Sequence, residues 1–194
     1  MNKLNNVKIP VTKSQVLQKL EILKTLLTEA EKIIKEFEGF RPFVYDDMGD
    51  TNKELKPGDK VIGKITYGIG FRYTKTGKPV EIGMRITEEE ADEYLHKLVQ
   101  NYVKGIQNSI NVPLTQNQFN AIVSFTYNLH NSDSKNISNN SLIKLLNSGD
   151  YISVSEKFNE YIYSNYKKIQ GLINRRKKES DLFKYDFVLI FNNL

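Results

Sequence analysis

Cysteine is absent from the 194 residues, so disulfides, thiolate nucleophiles and thiolate metal sites are excluded and the fold is indifferent to redox compartment. Histidine occurs only at His96 and His130, which makes a Ser-His-Asp triad or a multi-histidine metal centre hard to assemble. Neither a metal nor an organic cofactor is implied. No apolar run approaches the roughly 20 residues of a membrane span, and the tail Phe187-Val188-Leu189-Ile190-Phe191 is far too short. The opening Met1-Asn2-Lys3-Leu4-Asn5-Asn6 lacks the apolar core and small-residue cleavage site of a secretory signal. That predicts synthesis as a soluble cytoplasmic product, without stable membrane insertion, which needs outside help for export.

What remains is an ordinary globular composition. At 39% hydrophobic and 11% aromatic, the chain can bury a sizeable core, as one domain or as two lobes around a cleft. With cysteine gone and histidine scarce, carboxylates are the natural acid–base groups. The net charge of +5 favours a polyanionic partner. Nucleic acid and an anionic cell surface both satisfy it, and charge alone does not choose.

Residues 14–37 read as an amphipathic helix, with Val16, Leu20, Leu23 and Leu27 continued by Ile33, Ile34 and Phe37. From Phe40 to Arg85 glycine, tyrosine and β-branched residues predict a small twisted sheet, with strands at 60–66 and 69–73. Thr87 and Glu90 form a capping box that opens a long helix to about Ile110. Helical segments follow at Gln116–Leu129, Ser141–Asn147, Ile152–Tyr163 and Ile169–Phe183, with a polar loop at His130–Asn140. The fold class is α+β and mainly helical: a small sheet lobe, a long connecting helix and a larger helical lobe.

Acetal hydrolysis needs two carboxyl groups in different settings, one protonated and one ionised. Glu38, at a helix end between Phe37 and Gly39, fits the first. Asp47, ending Val44-Tyr45-Asp46-Asp47 before a turn, fits the second. Taken singly, each is more often an ordinary surface carboxylate. Their surroundings change that balance. Glu38-Gly39-Phe40-Arg41, Tyr45-Asp46-Asp47 and Thr66-Tyr67-Gly68-Ile69-Gly70 together resemble the active-site signature of the phage-type lysozymes, the endolysin family of glycoside hydrolases. Further similarity runs in order through Gly83–Ala91, Gln116–Asn128, Asn140–Tyr151 and Gly171–Glu179, covering about residues 28–185.

The resemblance implies a lysozyme-like fold with a cleft between the lobes. It also implies cleavage of the N-acetylmuramic acid–N-acetylglucosamine bond of peptidoglycan, by inversion, and lysis of bacterial cells. By it Glu38 is the general acid, Asp47 the second carboxylate, and Thr66 the residue that positions water. Arg175 corresponds to the arginine that orients the catalytic glutamate, whereas Arg176, Lys177 and Lys178 read as a solvated basic face. Tyr127, Ser141 and Arg72 match substrate-contacting positions, and for Tyr127 a purely core role is an equal alternative. The partner is then a peptidoglycan strand rather than nucleic acid, and the enzyme is a monomer. It is made in the host cytoplasm and reaches the periplasm or wall through a holin-like pore or a secretion apparatus. The rival readings are a lytic transglycosylase acting on the same bond, and a catalytically silent glycan-binding module.

The division expected is an N-terminal helical extension over 1–27, a catalytic domain over 28–186 and a tail over 187–194. Within the domain, 38–86 is the sheet lobe and 87–186 the helical lobe. Three departures from the family pattern stand out. An insertion at 49–65, with a Lys-Pro-Gly-Asp turn, predicts an extended hairpin at the cleft mouth that alters wall selectivity. Phe71 and Leu98 stand where a histidine–aspartate pair is usual, an exchange of both partners that strands no charge. His130 replaces a glycine and reads as a helix cap or loop residue, and His96 as a plain surface residue.

Overall fold

The computed structural model describes residues 29–129, 134–164 and 166–191. The 1–27 extension, the first half of the 14–37 helix and His130 lie outside them. Residues 29–38 are helical (α1) and bury Ile33 and Ile34 of the apolar face read from the sequence, with Ala30 beside them and Phe37 only partly buried. Gly39 ends the helix in the left-handed conformation at φ +66°, its amide donating to Lys35 O at 2.9 Å.

The sheet of the small lobe has two strands, β1 (Arg41–Asp46) and β2 (Ile65–Gly68). They run antiparallel with Tyr45 opposite Thr66 and Asp46 opposite Ile65. The strand expected at 60–66 is thus shorter and later. The one expected at 69–73 reduces to isolated bridges, Tyr67 with Phe71 and Tyr73 with Pro79. Gly68 and Gly70, at φ +62° and +72°, turn the chain before pairing can extend.

The inserted segment is not an extended hairpin. Between β1 and β2 it folds as successive turns and returns to the lobe. Leu55 is buried in the core, and its amide donates to Val44 O at 2.8 Å. An apolar anchor and bonds to β1 hold it down, where a two-stranded projection would stand free.

The long helix α2 (Glu88–Ser109) opens on the expected box, with Thr87 and Glu90 bonding reciprocally. α3 (Gln116–Leu129) is the central helix, buried from Gln118 and from Asn120 to Tyr127 against α2 and the last helix. A 3-10 turn (Ser134–Asn139), α4 (Ser141–Asn147), α5 (Tyr151–Lys157) and a second 3-10 turn (Phe158–Glu160) complete that lobe. The helix expected to reach Tyr163 stops early. A short antiparallel hairpin, β3 (Tyr163–Ser164) with β4 (Lys167–Lys168), takes its place. α6 (Gln170–Phe191) closes the chain and carries its helical backbone through most of the expected tail. The fold is α+β and mainly helical, as the residue pattern indicates. Among the described residues, no helix is long and apolar enough to cross a membrane.

Candidate functional site

Glu38 is the last residue of α1, where the negative end of the helix dipole repels a carboxylate. Arg175, on α6, supplies the opposing charge. Its Nη1 donates to Glu38 Oε1 at 2.7 Å, with the arginine side chain only 3% exposed. The same guanidinium donates through Nη2 to Ser124 O at 3.0 Å and through Nε to Glu179 Oε1 at 3.1 Å. Its rotamer is therefore fixed from three sides, and Glu38 is fixed through it. Glu38 Oε2 accepts no hydrogen bond among the described residues. It lies where a Cβ on Gly70 would come to 3.2 Å, so a larger residue there would crowd the carboxylate.

Asp47 follows β1 and is buckled to the far end of the insertion. Its amide donates to Lys64 O at 3.0 Å, and Lys64 N donates to Asp47 Oδ1 at 2.6 Å. Oδ2 faces Arg72 Nη2 at 4.0 Å, a loose pair with both side chains partly exposed. Beneath it Asp46, not singled out from the sequence, gathers the loop. Its carboxylate accepts from Met48 N at 3.0 Å, Ile62 N at 2.5 Å and Gly63 N at 2.8 Å. The Ile62 amide above all holds the Asp46 carboxyl below the ordinary carboxylate range, against the opposing effect of burial.

Thr66 is buried on β2, and its Oγ1 makes no protein hydrogen bond of good geometry. Tyr45, directly opposite it, is buried as well. Burial pushes its phenol up, with the Thr66 hydroxyl and Arg41 pulling down and Glu38 and Asp47 adding a smaller push upward. By geometry, the segment from Lys64 to Gly70 links these groups: Lys64 bonds Asp47, Thr66 stands opposite Tyr45, and Gly70 meets Glu38.

Of the other expected contact residues, Tyr127 is buried with its phenol well above its usual range, through desolvation first and the charge of Glu38 second. It lines a small cavity with Gly70, Phe71, Arg72, Tyr94, Leu98 and Tyr102, about 60 Å³. That is far below the several hundred Å³ of a ligand pocket. Phe71 and Leu98, the exchanged pair, share this apolar wall, and Phe71 packs on Tyr94 at 4.6 Å between ring centres. Ser141 is exposed and its hydroxyl bonds Tyr161 at 2.7 Å, away from the Glu38 cluster's own hydrogen bonds.

Two expectations need correction. Arg176 is not solvated: it is fully buried, lies over the Phe125 ring at 4.8 Å, and pairs with Glu179 Oε2 at 3.0 Å and with Asn128. Burial lowers its guanidinium to about 10. Only Lys177 and Lys178 form the exposed basic face. His96 is not a plain surface residue either, since its Nδ1 pairs with Glu31 at 2.7 Å and links α2 to α1.

Sequence reasoning missed Glu179. It is fully buried, accepts from Ser124 Oγ at 2.6 Å, and takes both arginines. Burial raises its carboxyl, against the lowering by Arg176 and Arg175. Its i+4 and i+3 spacing from Arg175 and Arg176 was visible in the sequence. Arg41 was quoted without a role, yet its Nε donates to Thr51 O at 3.1 Å, tying β1 to the insertion. Among the described residues no group of three or more potential ligands could hold a metal ion.

The chain matches the Phage lysozyme family over residues 35–179. It is 33% identical over 152 residues to the endolysin of Bacillus phage B103, covering 78% of this chain and 51% of that one. The endolysin of Acyrthosiphon pisum secondary endosymbiont phage 1 is 30% identical over 156 residues, covering 78% of this chain and 92% of that one. The solved endolysin from Escherichia coli O157:H7 phage FAHEc1 superposes with a TM-score of 0.64 at 29% identity, covering 91% of this chain and 94% of that one. The chain thus spans about half the length of the Bacillus phage relative. With the match reaching from the helix that ends in Glu38 to the Glu179 that grips Arg175, this chain belongs to the phage lysozyme family.

Proposed function

We propose that the chain is a muramidase, hydrolysing the bond between N-acetylmuramic acid and N-acetylglucosamine in peptidoglycan and so lysing bacterial cells. The observation that carries this reading is the unequal setting of two carboxylates met by one short segment, Asp47 at Lys64 and Glu38 at Gly70, with the buried Thr66 between those two residues in sequence. Glu38 has one oxygen engaged by Arg175 and the other unbonded beside Gly70. Asp47 is held by a main-chain amide in a polar, partly exposed turn.

In this reading the unbonded Oε2 of Glu38 carries the proton to the leaving glycosidic oxygen, and Arg175 keeps that oxygen aimed. Asp47 accepts a proton from the attacking water. Thr66 Oγ1, a buried hydroxyl beside the Tyr45 phenol with no hydrogen bond of good geometry among the described residues, is left to bond that water. Attack from the face opposite the leaving group inverts the anomeric centre. Tyr127 supports the wall under Gly70 and Arg72, while Arg72 steadies Asp47 and Ser141 meets the glycan farther along. The relatives named endolysins support action on the bacterial wall. Access runs through a pore-forming partner or a secretion apparatus.

The test uses purified peptidoglycan of both major wall types, with wild type beside Glu38→Gln. New reducing ends, an inverted anomer in the first product and loss of turnover in the variant are expected. Anhydro ends would replace hydrolysis with transglycosylation, and full activity of Glu38→Gln would overturn the catalytic assignment.

A further inference from the structure

The β3–β4 hairpin serves no purpose in the chemistry above, and its residue choice runs against its own backbone. Ser164 pairs with Lys167, and Tyr166 precedes the second strand as a turn residue. Turn positions with positive φ favour glycine, because a side chain there meets its own backbone. Tyr166 sits at φ +62°, and among the described residues it is the only non-glycine with positive φ. Burial does not compensate, since Tyr166 is 102% exposed. A large aromatic ring held in a strained turn and packed on nothing is open to an external contact.

Its neighbours extend the same surface. Tyr163 is 55% exposed with Lys168 Nζ over its ring at 5.8 Å, and Ile169 is 40% exposed. Lys167 and Lys168 are exposed, and neither has a carboxylate partner among the described residues. The base of the hairpin is rigid. Ile169 N donates to Ile162 O at 3.0 Å, and the adjoining Tyr161 stacks edge-on to Phe125 at 4.9 Å. α6 begins immediately afterwards, and Arg175 follows Gln170 by five residues, about 7.5 Å of helical rise.

We infer that this hairpin is a second, non-catalytic binding surface for the peptidoglycan strand on which the Glu38 site acts. Tyr166 and Tyr163 offer flat faces to pyranose rings, and Lys167 and Lys168 offer charge to the carboxylates of the peptide stems. The inference rests on peptidoglycan being the substrate. It adds a surface that holds the polymer between cuts.

Tyr166→Gly is the decisive variant, because it removes the ring and relieves the strained turn together. Its Tm should rise by roughly 2–4 °C. Its affinity for insoluble peptidoglycan, stripped of secondary polymers and assayed by sedimentation, should fall roughly five- to tenfold. Cleavage of short soluble glycan fragments, which cannot reach both surfaces, should be unchanged. Lys167→Gln with Lys168→Gln should flatten the salt dependence of sedimentation. Wild-type affinity in Tyr166→Gly overturns the hairpin proposal and leaves the muramidase reading standing. Failure of the wild type to bind or cut peptidoglycan overturns both. Loss of binding to phosphatidylglycerol vesicles with wall binding intact would reassign the surface to membranes and overturn it too.

Discussion

Arg175 and Glu179 stand one turn apart on α6 with both side chains buried, and Arg175 Nε donates to Glu179 Oε1 at 3.1 Å. The guanidinium that meets Glu38 is therefore positioned from behind by a second carboxylate. Charges alternate from Glu38 through Arg175 and Glu179 to Arg176, with little water in reach. Such a chain is stiff, because each member is held by the next and removal of one strands its neighbours.

Arg175→Lys is expected to lose at least tenfold in kcat with a much smaller change in KM, on the order of one hydrogen-bonded positioning contact. One ammonium cannot span Glu38, Ser124 and Glu179, which the guanidinium reaches with separate nitrogens. Steady-state cleavage of soluble glycan would measure both constants. An unchanged kcat would remove Arg175 from the positioning role.

Glu179→Ala leaves two buried guanidiniums without their shared partner. The loss is expected to be about 3–5 kcal/mol, a fall in Tm on the order of 10 °C. Glu179→Gln keeps the shape and the Ser124 contact and should fall by less. Equal melting of both variants would mean that charge in this pair contributes nothing.

Asp46 predicts a pH signature. Its folded carboxyl lies below the ordinary value, so ionisation stabilises the fold above the unfolded value of about 3.9. That contribution fades as pH falls past the unfolded value and is gone below the folded one. Asp46→Asn should thus melt lower than wild type at neutral pH, and the gap should close below about pH 4. Thermal melts across roughly pH 3–7 test it, and parallel curves would refute it. Activity at neutral pH should fall as well, since Lys64 and Asp47 depend on the same loop.

Leu55→Ala should lower stability by about 2–5 kcal/mol, because this leucine of the insertion belongs to the core. Excising 51–62 would therefore probe folding before selectivity. A melting temperature within about a degree of wild type would show that the loop is not anchored as described.

The helical order was legible from residue order for a local reason, whereas the catalytic candidates rested on an ordered resemblance of motifs along the chain. The Gly39 helix stop and the Thr87–Glu90 box are short-range devices whose geometry depends on neighbours within a turn. Apolar periodicity likewise marked which faces of α1, α2 and α3 are buried. The fates of like-looking residues were not legible. Arg176 and Lys177 are adjacent basic residues of one helix, and only the approach of Phe125, Asn128 and Glu179 buries the first and leaves the second in water. The insertion looked like free strands because turn residues do not reveal that Leu55 finds a core or that Asp46 gathers distant amides. A helix stripe or a cap is written within a few residues, whereas burial of a charge or anchoring of a loop depends on partners brought together only by folding.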